Sequence, residues 1–176
     1  QNFYELIKEK KLDKNSIIIV MADHGMGVGE KTGERAYGIF TYDYSIRTFS
    51  YFIQPKIFPK ENVVSKLTET VDILPTILHS LEIPEKNSNR KIQGQNMFID
   101  ATPDVAAERF SFSETGGVEG PWPSPKEPNV KCIRNSKWKL IHNLTPDTWE
   151  MYNIVDDPNE NNNLVDLDSV MFEKLK

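Results

Sequence analysis

The sequence predicts an α/β protein: a layer of strands and helices at the front, then a small antiparallel sheet with a terminal helix. Three observations predict it. "SIIIVM" (16–21) is β-branched and apolar without alternation, as in a strand covered on both faces within a parallel sheet. A helical pattern precedes it, and another follows a second strand. From about residue 84 the texture changes to polar, Gly- and Pro-rich turns separating short strands.

Taken in order, "NFYELIKEKKL" places Phe3, Leu6 and Ile7 on one helical face, and "DKNS" breaks it. The apolar strand follows, then a loop. "RTFSYFI" (47–53) reads as a second strand, closed by the two prolines of "QPKIFPKEN". In "TVDILPTILHSLEI", Val71, Leu74, Leu78 and Leu81 form a helical stripe. Pro75 fits only a first turn, so the helix starts near Asp72, whose carboxylate can cap it. His79 lies beside that stripe as a packed or half-exposed side chain. "RFSFSE", "VKCIR", "KWKLIHN" and "WEMYNI" read as short strands, with a hairpin turn at Asn135-Ser136. "NLVDLDSVMFEKLK" puts Leu164, Leu167, Met171 and Leu175 on one face of a terminal helix.

Composition excludes several functions. The formal net charge is −5, and seven acids lie between Pro146 and Asp168 with no Lys or Arg. A nucleic-acid partner needs a basic stripe, so none is expected. No apolar run approaches the ~20 residues of a membrane span, so no membrane partner is expected either. No leader is visible, and the chain, starting at Gln1 inside a helical pattern, reads as a piece of something longer. Cys132 is the one cysteine, which rules out an internal disulfide; it reads as a buried structural thiol.

The loop "ADHGMGVGEKTGE" carries the chemistry. A phosphate-cradling loop needs glycine immediately before Lys31-Thr32, and the residue there is Glu30. The dinucleotide spacing also fails at Gly25, Gly27 and Gly29. Asp23 and His24, just past a buried strand, can each donate to a divalent metal. Two donors are not a centre, however, and on local sequence a strand-to-loop cap explains them equally well.

The ordered set "IIIVMADHG", "GE", "YGIFTYDYSIRTFSYFI", "TVDILPTILHSLEI", "IQGQN", "CIRNSKWKLI" and "EMYNIVDDPNENNNL" resembles the latter part of a sulfatase. Sulfatases are metal-dependent ester hydrolases of the alkaline-phosphatase-like superfamily. The resemblance implies the C-terminal part of an alkaline-phosphatase-like α/β sandwich over 1–105, and a small α+β subdomain over 106–176. It implies Asp23 and His24 as half of a metal site for Ca, Mn, Mg or Zn. The remaining acidic ligands, and the Cys/Ser-x-Pro-x-Arg nucleophile that matures to formylglycine, would lie in an N-terminal half; neither motif occurs here.

Many relatives carry histidines where this chain has Lys31 (allowing one inserted residue) and Tyr37. Lys31 is then the implied oxyanion donor, though a solvated loop lysine is the plain alternative. Tyr37 is a far weaker acid than imidazolium, with an ordinary pKa near ~10 against ~6.5. Arg47 matches a family arginine and reads as structural. Trp122, in the Gly/Pro-rich loop 116–128, reads as a loop anchor, with an aromatic wall for a sugar as the alternative. The implied activity is sulfate-ester hydrolysis by the full-length protein, with this piece inactive alone. A phosphate or phosphonate ester hydrolase of the same superfamily, or a non-catalytic binding module, is the alternative. An uncovered strand 17–21 predicts self-association into a homo-oligomer when the N-terminal half is absent.

Overall fold

The computed structural model describes residues 2–31, 39–58, 61–84, 91–99, 109–116 and 129–176. They group into two units whose chain segments interleave: residues 1–23 with 48–64, and residues 24–47 with 65–176. Tyr37, Trp122 and the greater part of loop 116–128 lie outside the described residues.

The first unit is built on one short ribbon. Helix α1 (Phe3–Glu9) is capped by Asn2, whose side chain accepts the Tyr4 N–H at 3.0 Å. Strand β1 (Ile18–Met21) pairs antiparallel with β2 (Ser50–Ile53), Ile18 opposite Ile53 and Met21 opposite Ser50. The buried Gln54 ties the ribbon to the preceding turn, donating to the Ser16 carbonyl at 2.9 Å.

The apolar run of β1 predicts a parallel strand covered on both faces, and here the structure differs. Its described neighbour is antiparallel, and Val20 and Met21 are 48% and 41% exposed. The buried apolar side chains of the described residues all belong to the other unit. Ile18 and Ile19 are half-buried, while Val20 and Met21 are exposed.

The second unit has a four-stranded antiparallel meander at its centre: β3 (Ser111–Thr115), β4 (Val130–Arg134), β5 (Trp138–Asn143) and β6 (Thr148–Asn153). The β4–β5 turn falls at Asn135 as the sequence predicts. Without glycine it relies on the Asn135 side chain, whose Oδ1 accepts the N–H groups of Lys137 and Trp138 at 2.8 and 2.6 Å.

Period-two alternation gives this sheet two different faces. Leu140 and Met151 point to one side and pack with Leu175 of α4 (Ser169–Leu175), joined by Trp138, Trp149, Met171 and Phe172. Asp168 caps α4 by accepting the Met171 N–H at 3.0 Å. Of the predicted α4 stripe, Leu167 stays exposed because it precedes the helix.

Val130, Cys132, Ile141 and Tyr152 point to the other side. They pack with Tyr42, Phe40, Tyr44 and Ile46 from the one-turn helix α2 (Asp43–Ile46) and its approach. Cys132 is buried, as its alternating setting predicts. So the segment 39–47, far away in sequence, forms one cover of the C-terminal sheet.

Helix α3 (Ile73–Ser80) follows a 3-10 turn at Thr70–Asp72. Pro75 sits in its first turn, where a missing N–H costs nothing. Asp72 does not cap α3 forward; its carboxylate accepts the Glu69 N–H at 2.8 Å and the Gln95 N–H at 2.9 Å. The Pro75–Thr76 side of α3 is buried, whereas Val71, Leu74 and Leu81 of the predicted stripe are exposed, as is His79. Among the described residues no helix is long and apolar enough to cross a membrane.

Candidate functional site

Within the second unit, Gly25 lies close to the backbone of α2. Gly25 donates its N–H to the Ser45 carbonyl at 2.8 Å, and a Cβ on Gly25 would lie 2.0 Å from the Tyr44 carbonyl oxygen. Only glycine allows that contact. Glu30, which breaks the phosphate-loop pattern, accepts the Val28 N–H at 2.7 Å. A loop amide that a phosphate would use is therefore bound to a carboxylate of its own chain.

Asp23 and His24 follow the strand directly. The His24 Nδ1 lies 2.8 Å from the Gly25 carbonyl. A carbonyl only accepts, so Nδ1 holds the proton and Nε2 bears the lone pair in the neutral ring. That tautomer is the one a metal-ligating imidazole adopts when its other nitrogen donates to a carbonyl. Even so, among the described residues no three His, Cys, Asp or Glu side chains stand together to hold a metal. The donors present are too few for a complete centre, and no chemical step through a metal follows from them.

Lys31 is placed unexpectedly. Its Nζ donates to the main-chain carbonyl of Glu160 and lies 3.4 Å from Asn161 Oδ1. It also sits over the ring of Tyr42 at 4.9 Å and of Tyr152 at 5.7 Å. An ammonium over aromatic faces, with a carbonyl acceptor, is well satisfied by protein. Glu30, Tyr44, Pro158, Asn159 and Asn161 line a cavity of about 300 Å³.

Beneath Lys31 lies a buried charge cluster absent from the candidate residues of the sequence. Lys139 on β5 is 0% exposed, with its Nζ 3.0 Å from Asp43 Oδ1 and 2.8 Å from Glu160 Oε1. Arg134 at the end of β4 grips both Asp43 oxygens at 2.9 and 2.8 Å. Glu160 Oε2 accepts the Asp43 backbone N–H at 2.6 Å. Two acids and two bases cancel in formal charge, which is what makes burial tolerable.

The two acids respond differently. Burial pushes the Asp43 carboxyl up, but Lys139 and Arg134 outweigh it and hold the group below the usual carboxylate range. Burial dominates at Glu160, whose carboxyl is raised despite Lys139. Nearby, Tyr42 and Tyr152 both donate to Glu150 Oε2, the former at 2.7 Å, and Asn143 donates to Oε1 at 2.9 Å. The signal for all this was present. Asp43, Arg134, Lys139 and Glu160 each lie in a stretch quoted for the resemblance. Yet an acid and its bases 91 and 96 residues away (Asp43 with Arg134 and Lys139) announce no pairing in one dimension.

A second ion knot holds α3. Arg109 meets Asp72 at 2.7 Å and Glu69 at 2.9 Å, and donates to the Leu67 carbonyl at 3.1 Å. Burial raises the Asp72 carboxyl, but the Arg109 hydrogen bond and two backbone N–H groups hold it below its ordinary value.

The family model described as N-sulphoglucosamine sulphohydrolase, C-terminal, matches residues 35–175. A Delta 4,5-hexuronate-2-O-sulfatase of Bacteroides thetaiotaomicron is 27% identical over 158 residues, covering 86% of this chain and 31% of its own length. The structure of a 2-O GAG sulfatase aligns with TM-score 0.68 at 25% identity, over 92% of this chain and 34% of that one. A phosphonate monoester hydrolase of Silicibacter pomeroyi aligns with TM-score 0.61 at 22% identity, over 97% and 36%, a likeness of fold. The chain spans about a third of the length of these proteins. Its α/β architecture, antiparallel sheet and terminal helix are those of sulfatases, in which metal binding is a general property. The chain belongs to the N-sulphoglucosamine sulphohydrolase C-terminal family of the alkaline-phosphatase-like sulfatases.

Proposed function

We propose that the chain is the C-terminal portion of a metal-dependent sulfatase, hydrolysing sulfate esters only when joined to the rest of the catalytic domain. The observation that carries this reading is the match of residues 35–175 to the sulfatase C-terminal family. Asp23 and His24 contribute two metal ligands, the other ligands and the formylglycine nucleophile coming from residues beyond these 176. The His24 tautomer supports its part. Lys31 and Tyr37 stand at the positions of family histidines. With Lys31 bound by Glu160, Tyr42 and Tyr152, its contribution is to shape the site wall rather than to reach the reacting oxygen. The substrate class is a sulfated saccharide, by the likeness to a hexuronate-2-O-sulfatase.

The test compares this chain alone with the chain joined to a sulfatase N-terminal portion, on an aryl sulfate and a 2-O-sulfated unsaturated uronate. The joined protein is expected to turn over, the chain alone not. Asp23→Asn should reduce kcat/KM of the joined protein by a factor of about 10² or more. Sustained hydrolysis by the 176-residue chain would overturn the reading, and so would an unimpaired Asp23→Asn variant. A second reading, hydrolysis of phosphonate monoesters, is favoured by the fold likeness to such a hydrolase. It predicts faster turnover of a phosphonate monoester than of the sulfates in the same assay.

A further inference from the structure

Among the described residues of the segment 24–47, the one regular element is the single turn of α2. Two points along the segment are tied to one residue of the turn after β6. Lys31 Nζ donates to the Glu160 carbonyl, and the Asp43 N–H donates to Glu160 Oε2 at 2.6 Å. Glu160 Oε1 meanwhile faces Lys139 at 2.8 Å, and the residue is 1% exposed. Its φ of 54° lies in the left-handed region, which a residue other than glycine seldom occupies.

Stability alone is a poor account of this cluster. A buried ion group is often no more stabilising than well-packed apolar residues of similar volume. What ions and backbone donors add is direction: they fix where their partners sit. Here the partners are Lys31 and the Tyr42–Asp43 turn.

We infer that Glu160, supported by Lys139, is a positioning residue that clamps Lys31 and Asp43 and so sets the conformation of the segment carrying His24. The clamp itself stands on the contacts above; only its consequence for turnover rests on the sulfatase reading.

Hydrogen exchange on the 176-residue chain tests the clamp without any activity. Glu160→Gln should speed exchange about tenfold at amides of 24–31 and 39–47, with little change across β4–β6. Lys31→Met leaves the buried cluster whole and should speed exchange in 24–31 alone. Acceleration spread evenly over the sheet would show a general stabiliser and overturn the inference, as would no change in either variant. Should Glu160→Gln fail to fold, Lys31→Met decides alone: faster exchange confined to 24–31 supports the clamp, and none overturns it.

In the joined protein, Glu160→Gln should lower kcat about tenfold or more with KM nearly constant, and Glu160→Asp, which keeps the charge, should recover part of it. Unchanged kcat in an active joined protein overturns the catalytic consequence. An inactive wild-type joined protein counts against the sulfatase reading, while the exchange result still decides the clamp.

Discussion

Tyr42 and Tyr152 share one carboxylate, and that sets their acidity. Burial raises both phenols well above their ordinary value near 10, and donation to the Glu150 carboxylate adds to it, since a phenolate there would face a like charge. A raised folded-state pKa contributes stability that is whole below the unfolded value and is lost as pH climbs through the folded one. Unfolding free energy should therefore fall from about pH 10 upward, as tyrosines ionise first in the unfolded chain. Denaturant titrations at pH 8 to 11 should show this fall, shallower in Tyr42→Phe. An identical alkaline slope in wild type and variant would contradict the account. Lys139 is a contrasting case at the same scale. As one cation beside two carboxylates it anchors a cluster whose cost and return both come from burial.

Among the elements, α3 shows how a short helix is located by its ends. Its entry turn is a reciprocal cap between Glu69 and Asp72, and the same Asp72 binds Arg109 and the Gln95 N–H. Thr76 continues the tie by accepting the Met97 N–H at 2.9 Å. The "IQGQN" stretch can approach because Gly94 has φ 88° and no Cβ; one there would meet the Val71 carbonyl oxygen at 2.4 Å. Gly94→Ala should therefore destabilise the chain by about 1–3 kcal/mol, from left-handed strain plus a backbone clash. Urea unfolding midpoints measure it; a midpoint equal to wild type would mean the 91–97 stretch yields freely. Leu74 of α3, and Val71 and Leu81 at its two ends, are exposed.

For the whole molecule, the uneven cover of apolar surface matters most. The C-terminal sheet is covered on both faces, by α4 and by residues 40–46. Among the described residues the β1–β2 ribbon is not: Val20 and Tyr51 are exposed, the latter at 63%, as is Phe49 just before β2. Exposed apolar strands with open edges recruit other chains. The 176-residue chain should self-associate with rising concentration, and Tyr51→Lys with Val20→Lys should reduce it. Light scattering decides: a monodisperse monomer at high concentration would contradict the expectation.

The sequence by itself determined the element types, because each rests on a local rule. The β-branched run makes a strand, Pro75 begins a helix, Asn135 turns a hairpin, and alternation buries Cys132. The ordered stretches were also enough to indicate the family. Pairings distant in sequence were decided only by tertiary structure: Asp43 with Arg134 and Lys139, Glu160 with Lys31, Arg109 with Asp72. A charged residue reads as solvated until the fold brings its opposite within 3 Å and removes the water between them. Lys31, an oxyanion donor by the family resemblance or a solvated loop lysine by its local sequence, is bound in the structure to a carbonyl and lies over two aromatic rings. Local chemistry names what a side chain can do, and the packed chain around it selects which of those things it does.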